Sequence, residues 1–469
     1  MDASERRPHL RARRFLALAL LLPAACTLDP GVPPPSTPTQ AGWRGPAPAE
    51  GVPPPPDWWH AFGSAELDRL SEAAQAGNLD IAAAVARIEQ ADAQVRAAGA
   101  PLLPALDLSI NAARSRQGGG VVANRIGLTL SASYEIDFWG KNRAGQRAAE
   151  WTAAATRYDR ETVALTVAAG VANAYLQLLA AQDRMKTAEA NLGIAQRGLD
   201  AIRARNSVGT ATALDVAQQE SVVLQQRAAV PPLRQQIRQN GNALAILTGR
   251  PPADLDVAGG SLYALAVPAV AAGLPSELLV RRPDIRRSEA ALRAAEADVV
   301  VARAALFPSI SLTASGGYQS TALASLFGPG AAAWSVGAGL LQPLFDGGRL
   351  EAQLAQQRAR FGELLQSYRQ TVIGAFRDVE DALVAIQETA QQERLQEAVV
   401  ATARRAFDIS TARLREGTID LLTLLNTQQT LFQAQDQLTQ LRLARLQAAV
   451  GLYQALGGGW NDAGVAVPQ

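Results

Sequence analysis

The sequence predicts an internally duplicated α+β membrane protein. Four amphipathic strands per chain are pooled by three copies into a twelve-stranded β-barrel, which long coiled-coil helices continue as an α-helical barrel. Three observations predict this. Leu365, Val372, Val379 and Ile386 recur at strict sevens in a proline-free stretch from Gly347 to about Arg415, which is a coiled-coil signature. Roughly 65 to 70 helical residues reach on the order of 100 Å, more than a globular core requires. Four short stretches alternate apolar and polar residues, so their two faces meet two media. Finally, the whole plan occurs twice.

Composition supports an elongated helical molecule: in 469 residues aromatics make up 5% while alanine is abundant, which favours close-packed helices over bulky cores. The net charge is +1 with both signs interspersed. Beyond the N-terminus no basic run exceeds Arg281-Arg282 and Arg286-Arg287, so no nucleic-acid footprint is present. These arginines are expected on a solvated helix start, with Pro283 in the first turn.

Arg6, Arg7, Arg11, Arg13 and Arg14 precede the apolar run Phe15 to Leu22, and the single cysteine, Cys26, follows Ala24-Ala25. The run is too short to span a bilayer and reads as an export signal over residues 1–25. A cysteine after small residues resembles a lipoprotein processing site, here with Pro23 in place of the usual aliphatic residue. Cys26 would then be the acylated mature N-terminus. Thr27 follows it where an inner-membrane retention signal would carry aspartate, so the outer membrane is the expected address.

Residues 26–57 are rich in proline and are expected to form an extended tether reaching roughly 90 Å at about 3.1 Å per residue. Trp58, Trp59 and Phe62 are read as packing residues that open the first repeat, residues 58–250. A helix is expected from about Ser64 to Ala98, ended by Pro101 and Pro104. Leu106, Leu108, Ile110 and Ala112 then alternate as one strand. After a glycine loop, Ile126, Leu128, Leu130, Ala132, Tyr134, Ile136 and Phe138 occupy one face of a second strand. Arg125, Thr129, Ser131, Ser133, Glu135 and Asp137 occupy its other face. A long helix runs from Gly140 to about Arg205. Its Thr162 to Gln182 portion is long and uncharged, but Asn173, Gln177 and many alanines suit packing among helices better than spanning a bilayer. The turn Val208-Gly209-Thr210 leads to a return helix ending at Leu247, and residues 251–275 form a linker.

The second repeat, residues 276–457, matches the first at one offset: Asn78-Leu79-Asp80-Ile81 with Arg282-Pro283-Asp284-Ile285, and Leu103-Pro104-Ala105-Leu106 with Phe307-Pro308-Ser309-Ile310. Its strands carry Ile310, Leu312, Ala314, Gly316 and Tyr318, then Trp334, Val336, Ala338 and Leu340. Its turn, Glu416-Gly417-Thr418, leads back through Leu424, Leu431 and Leu438, and residues 458–469 form a tail. Glycine suits a left-handed helix end and threonine a following cap.

Four strands cannot close a barrel, and an open edge in lipid leaves backbone groups unpaired. Eight strands enclose only side chains, whereas twelve leave a lumen. Thr129, Ser131, Ser311 and Thr313 would line it. No catalytic constellation is evident: beyond the signal there is one histidine, His60, and no metal-ligand spacing or phosphate loop. No metal and no cofactor is expected beyond the covalent lipid on Cys26.

PDWW (56–59), DFWGK (137–141), LLVRRPDIR (278–286), FPSISLTAS (307–315), QPLFDGG (342–348) and LYQALGGGW (452–460) together resemble the TolC-like outer-membrane factors, specifically the NodT-type lipoproteins of efflux systems. The resemblance spans nearly the whole mature chain. It implies a homotrimeric, passive exit channel through the outer membrane and across the periplasm. Such a duct docks to a periplasmic adaptor and an inner-membrane pump, usually of the resistance-nodulation-division type, and exports drugs or other small molecules. The family's adaptor-docking tip maps onto Val208, Gly209, Thr210, Glu416, Gly417 and Thr418. Its acidic periplasmic gate maps onto Asp215 and Asp420, although Thr212 and Asp215 also fit a capping box. Asn426 stands where relatives often carry aspartate. A type I protein-secretion duct and a lipid-anchored coiled-coil spacer without a pore remain alternatives at this point.

Overall fold

The structure, a computed structural model, describes residues 32, 37–44, 54–116 and 122–460. The export signal, Cys26, most of the proline-rich stretch and the chain from 461 onward lie outside the described residues. The first repeat comprises α1 (Ala65–Gly77), α2 (Leu79–Gly99), β1 (Ala105–Arg116), β2 (Val122–Ile136), α3 (Lys141–Ser207) and α4 (Ala213–Leu247). In the second stand α5 (Pro283–Ala304), β3 (Ser309–Ser320), β4 (Ala332–Leu341), α6 (Arg349–Arg415) and α7 (Leu421–Ala455). The rods α3 and α6 have 67 residues each and the return helices α4 and α7 have 35 each. A rod therefore spans about 100 Å, with the sheet at one end and the helical turns at the other.

The helix expected from Ser64 to Ala98 is broken at Asn78, whose backbone is extended (φ −66°, ψ 130°). Asn78 Oδ1 accepts from the amides of Asp80 and Ile81 at 2.9 and 3.1 Å, capping α2, and its Nδ2 donates to Leu247 O at 2.8 Å. The break lets the end of α4 come against the chain at Gly77. A Cβ on Gly249 (φ +70°) would stand 2.0 Å from Gly77 O. The second repeat builds the same joint, with Gly457 (φ +87°) against Arg281 O, where an added Cβ would come to 2.2 Å.

This joint also corrects the reading of Arg282 as a solvated residue. Its guanidinium is largely withdrawn from solvent, with the side chain 11% exposed; it pairs with Asp284 at 2.7 Å and Asp378 at 3.2 Å, and donates to Ala455 O at 3.1 Å. The start of α5 abuts the end of α7, so whatever stands there is enclosed, and two carboxylates offset the cost of burying the charge. Arg281 and Arg287 remain at the surface in ion pairs with Glu277 and Asp159.

The core gathers around this level. Trp58 stacks on Tyr453 with ring centroids 5.0 Å apart, and Phe62 is fully buried beside them. Val171, Ala172 and Leu176 of α3, Val372 and Val379 of α6, and Val450 of α7 join the same cluster. The stretch of α3 that is long and apolar enough to cross a membrane is thus a packed core helix, mostly buried within the protein. The heptad residues face inward as their spacing predicts. In α7 the buried seam runs through Leu421, Leu425, Gln428 and Leu431, displaced from Leu424 and Leu438, which are half-buried. Pro231 and Pro232 lie inside α4, which remains helical through them, although each removes one backbone donor.

Two segments outside the long helices and the sheet are strapped to the shaft. Between the repeats, Leu262 N donates to Asp183 Oδ2 at 2.8 Å and Arg442 donates to Leu265 O at 2.7 Å. Near the N-terminus, Val32 packs on the cluster holding Leu354 and Phe361. Gln40 Nε2 and the amide of Arg44 donate to Glu380 Oε1 at 2.7 and 2.9 Å. Residues 37–44 of the expected tether are therefore laid along α6, because Glu380 and the Trp43–Phe376 edge contact hold them there.

Candidate functional site

All four strands form one antiparallel sheet in the order β1-β2-β3-β4, with β2 and β3 joining the two repeats. Side chains alternate across a strand, so register decides whether like residues share a face. Leu108 stands opposite Leu130, Leu130 opposite Gly316, and Gly316 opposite Trp334. Tyr134, Leu312 and Ala338 form another such row. Phe138, expected to continue the second strand, falls in the turn after β2 ends at Ile136. Every other apolar position predicted for the strands lies on one face, and on the outer strands that face is bare: Ile110 is 77% exposed, Trp334 82% and Val336 76%. An apolar surface of this extent in water would be a severe liability; facing lipid it is required.

The opposite face is polar, with Asp107, Arg125 and Glu135 as its charged members. Ser131 pairs with Ser315, and Ser315 with Ser335, whose hydroxyls lie 2.9 Å apart. Ser133 pairs with Thr313 and Glu135 with Ser311, while Thr129 stands opposite Gly317. Glu135, at the helix end, is neutralised by Lys141 at 2.6 Å. β1 and β4 are the two open edges.

At the far end of the rods both turns have the same construction. The amide of Thr210 donates to Arg205 O at 2.9 Å and that of Gly209 to Asn206 O at 3.0 Å. Thr418 and Gly417 repeat this pattern on Arg413 O and Leu414 O, at 3.0 and 3.2 Å. Each is a Schellman end with glycine in the left-handed region, at φ +75° and +73°. The threonine hydroxyl adds a bond to the same arginine carbonyl, at 3.0 and 3.1 Å, so Thr210 and Thr418 close the preceding rods, and the caps expected of them fall instead to Thr212 and Asp420. Val208, Gly209, Thr210, Glu416, Gly417 and Thr418 are all exposed.

The two acidic residues beyond the turns each organise the start of a return helix. Asp215 Oδ2 accepts from Thr212 N at 2.7 Å and from its hydroxyl at 2.8 Å, while Asp215 N donates to Thr212 Oγ1 at 3.2 Å, completing the capping box. Asp420 is itself the cap of α7, accepting from Thr423 N at 2.8 Å. These bonds from Thr212 and Thr423 hold both carboxyls below the ordinary aspartate range. Asp420 and Asn426 are exposed.

Sequence reasoning missed the groove of about 710 Å³ just behind the turns, between the α3/α4 and α6/α7 pairs, where Arg197, Arg205 and Arg415 stand among Phe407 and Leu414. Its floor includes the buried Gln219 and Gln428. Gly198 makes room for Gln219, whose Nε2 donates to Ala195 O at 2.8 Å. The repeated arginine four residues before each turn glycine was the available signal for Arg205. Among the described residues no group of three or more His, Cys, Asp or Glu side chains is placed to hold a metal ion.

A family model described as outer membrane efflux protein matches residues 70–250 and 274–458. The chain belongs to the outer membrane efflux protein family. Two relatives are named pyoverdine export outer membrane protein OpmQ. That of Pseudomonas aeruginosa is 46% identical over 418 residues, covering 86% of this chain and 88% of the relative. That of Pseudomonas putida is 42% identical over 463 residues, covering 95% and 97%. Among solved structures, the open-state MtrE outer membrane channel of Neisseria gonorrhoeae superposes with a TM-score of 0.85 at 30% identity, covering 92% of this chain and 98% of that one. This efflux protein is accordingly an outer-membrane channel component and not an enzyme, and the poreless spacer is set aside. Its bare apolar sheet face is the membrane surface of a β-barrel.

Proposed function

We propose that three copies close head to tail into a passive exit duct, with β4 of one copy beside β1 of the next. The observation that carries this is the register of the apolar rows across all four strands, combined with two open sheet edges. Each unpaired backbone group in lipid costs several kcal/mol, so the edges must find each other. The helical flanks agree. Ile373, Val384, Leu395 and Ile409 form one exposed apolar stripe on α6, and Leu79, Val85, Leu224 and Ile246 are exposed on α2 and α4. Ring closure buries both sets.

In this reading small molecules leave through the Ser/Thr-lined lumen. A periplasmic adaptor docks at Val208, Gly209, Thr210, Glu416, Gly417 and Thr418, and an inner-membrane pump, of the resistance-nodulation-division type, supplies the energy. Identity to two pyoverdine exporters favours a small secreted metabolite over a protein as cargo. Asp420 contributes a three-fold acidic ring at the periplasmic gate, while Asp215 is committed to its capping box. Cys26 carries the lipid. Val32 packs on the cluster of Leu354, Phe361 and Leu365 in the sheet-proximal part of α6, and six residues can span at most about 22 Å, which keeps the anchor toward the sheet end of the shaft.

The test is single-channel conductance of the purified protein in a planar bilayer, wild type against Asp420→Ala, with its mass in detergent. Stepwise currents from a trimer, larger in the variant, are expected. Currents that the substitution leaves unchanged would move the gate elsewhere, and a monomer that never conducts would overturn the duct.

A further inference from the structure

The two hairpins of the sheet differ in charge. Between Arg303 and Asp346 the second carries no charged side chain at all, whereas between Asp107 and Glu135 the first carries Arg114, Arg116 and Arg125 and no carboxylate. All three arginines are exposed and stand at the ends of β1 and β2 remote from the helices. Register sorts them. Arg114 lies opposite Asn124 and Arg116 opposite Val122, on the face of Leu106, Leu108, Ile110 and Ala112; Arg125 lies opposite Ala113, on the Ser/Thr face.

From Leu106 to Ala112 the apolar row extends about 20 Å at 3.3 Å per residue, and Arg114 is the next residue on that face. It and Arg116, about 7 Å further on, thus stand where an apolar band ends and lipid headgroups begin. A guanidinium is strongly disfavoured against hydrocarbon but pairs bidentately with phosphate, and two on one face match a headgroup with two phosphates. No acidic neighbour in the hairpin competes for them.

We propose that Arg114 and Arg116 form a lipid-binding clamp for a diphosphorylated glycolipid headgroup of the outer leaflet. The inference rests on the reading that the apolar sheet face meets lipid. Each copy of the chain carries one clamp on the outside of the rim, while Arg125 faces the lumen and takes no part in it.

The purified channel in detergent would be titrated, by native mass spectrometry, with diphosphoryl lipid A, monophosphoryl lipid A, phosphatidylethanolamine and inorganic phosphate. Wild type, the double variant Arg114→Ser/Arg116→Ser and the single variant Arg125→Ser would be compared. The double variant is expected to bind diphosphoryl lipid A on the order of tenfold more weakly, with Arg125→Ser unchanged and wild type weaker for the monophosphoryl form. Equal loss in Arg125→Ser, no loss in the double variant, or inorganic phosphate binding as tightly as the lipid would each overturn the clamp. Conductance of the same samples separates the two readings. A conducting double variant with unaltered lipid affinity defeats the clamp alone, whereas a wild type that never conducts defeats the channel.

Discussion

The two repeats share a backbone and differ in chemistry at the same place. At the shaft joint both bring a left-handed glycine, Gly249 or Gly457, against the carbonyl of the residue ending the preceding helical segment. Both tie the next residue's side chain to the last carbonyl of the return helix. The first repeat does this with neutral Asn78 and the second with Arg282 between Asp284 and Asp378. What duplicates is the close approach, which only glycine admits; what diverges is the side chain that seals it. The rods differ as well. α3 is enclosed by α2, α4, α5 and α7 of its own chain and has no large apolar side chain exposed, whereas α6 leaves an apolar stripe bare. One rod is finished within the protomer, and the other belongs to a boundary.

The largest effect should break the joint's asymmetry. Arg282→Ala leaves Asp284 without its cation and Asp378 with only the exposed Arg377 at a part-buried joint, at a cost of about 3 kcal/mol, while Asn78→Ala removes a cap worth about 1 kcal/mol. Denaturation midpoints in detergent measure both, and equal shifts would mean that the charge contributes nothing beyond a hydrogen bond. Next, Gly249→Ala and Gly457→Ala should each cost about 2–3 kcal/mol, from left-handed strain and carbonyl overlap. Here the two repeats should behave alike, and a tolerant Gly457→Ala would show that its joint opens independently. The smallest effect concerns the turns. Both Asp215 and Asp420 have folded-state values below the ordinary 3.8, so their caps contribute fully above that pH and are lost as pH falls through the lowered values. Hydrogen exchange corrected for intrinsic rate should show the first turns of α4 and α7 loosening together only in acid.

Features set by local pattern were legible in the sequence: the two rods, the glycine turns, and the assignment of every strand residue to a face, because period and turn chemistry are local. The break at Asn78 was missed although Gly77-Asn78 is a local helix-end and cap signal; the approach of Gly249 to it, from far along the chain, was not legible. Burial of Arg282 likewise depends on Asp378 and on the carbonyl of Ala455, and the course of residues 37–44 on Glu380. The capping roles of Asp215 and Asp420 separate along the same line. Thr212 and Asp215 announce a capping box by spacing, whereas Asp420 reads as a cap only once the helix start at Leu421 is known.

The charge-free stretch from Ala304 to Phe345 also bears on how the sheet enters a bilayer. An arginine at mid-membrane costs about 2–4 kcal/mol, and the first hairpin must carry three of them across to deliver its tip to the far side. The second hairpin meets no such barrier. The two hairpins therefore face unequal costs on entering a bilayer, with the charge penalty confined to β1 and β2.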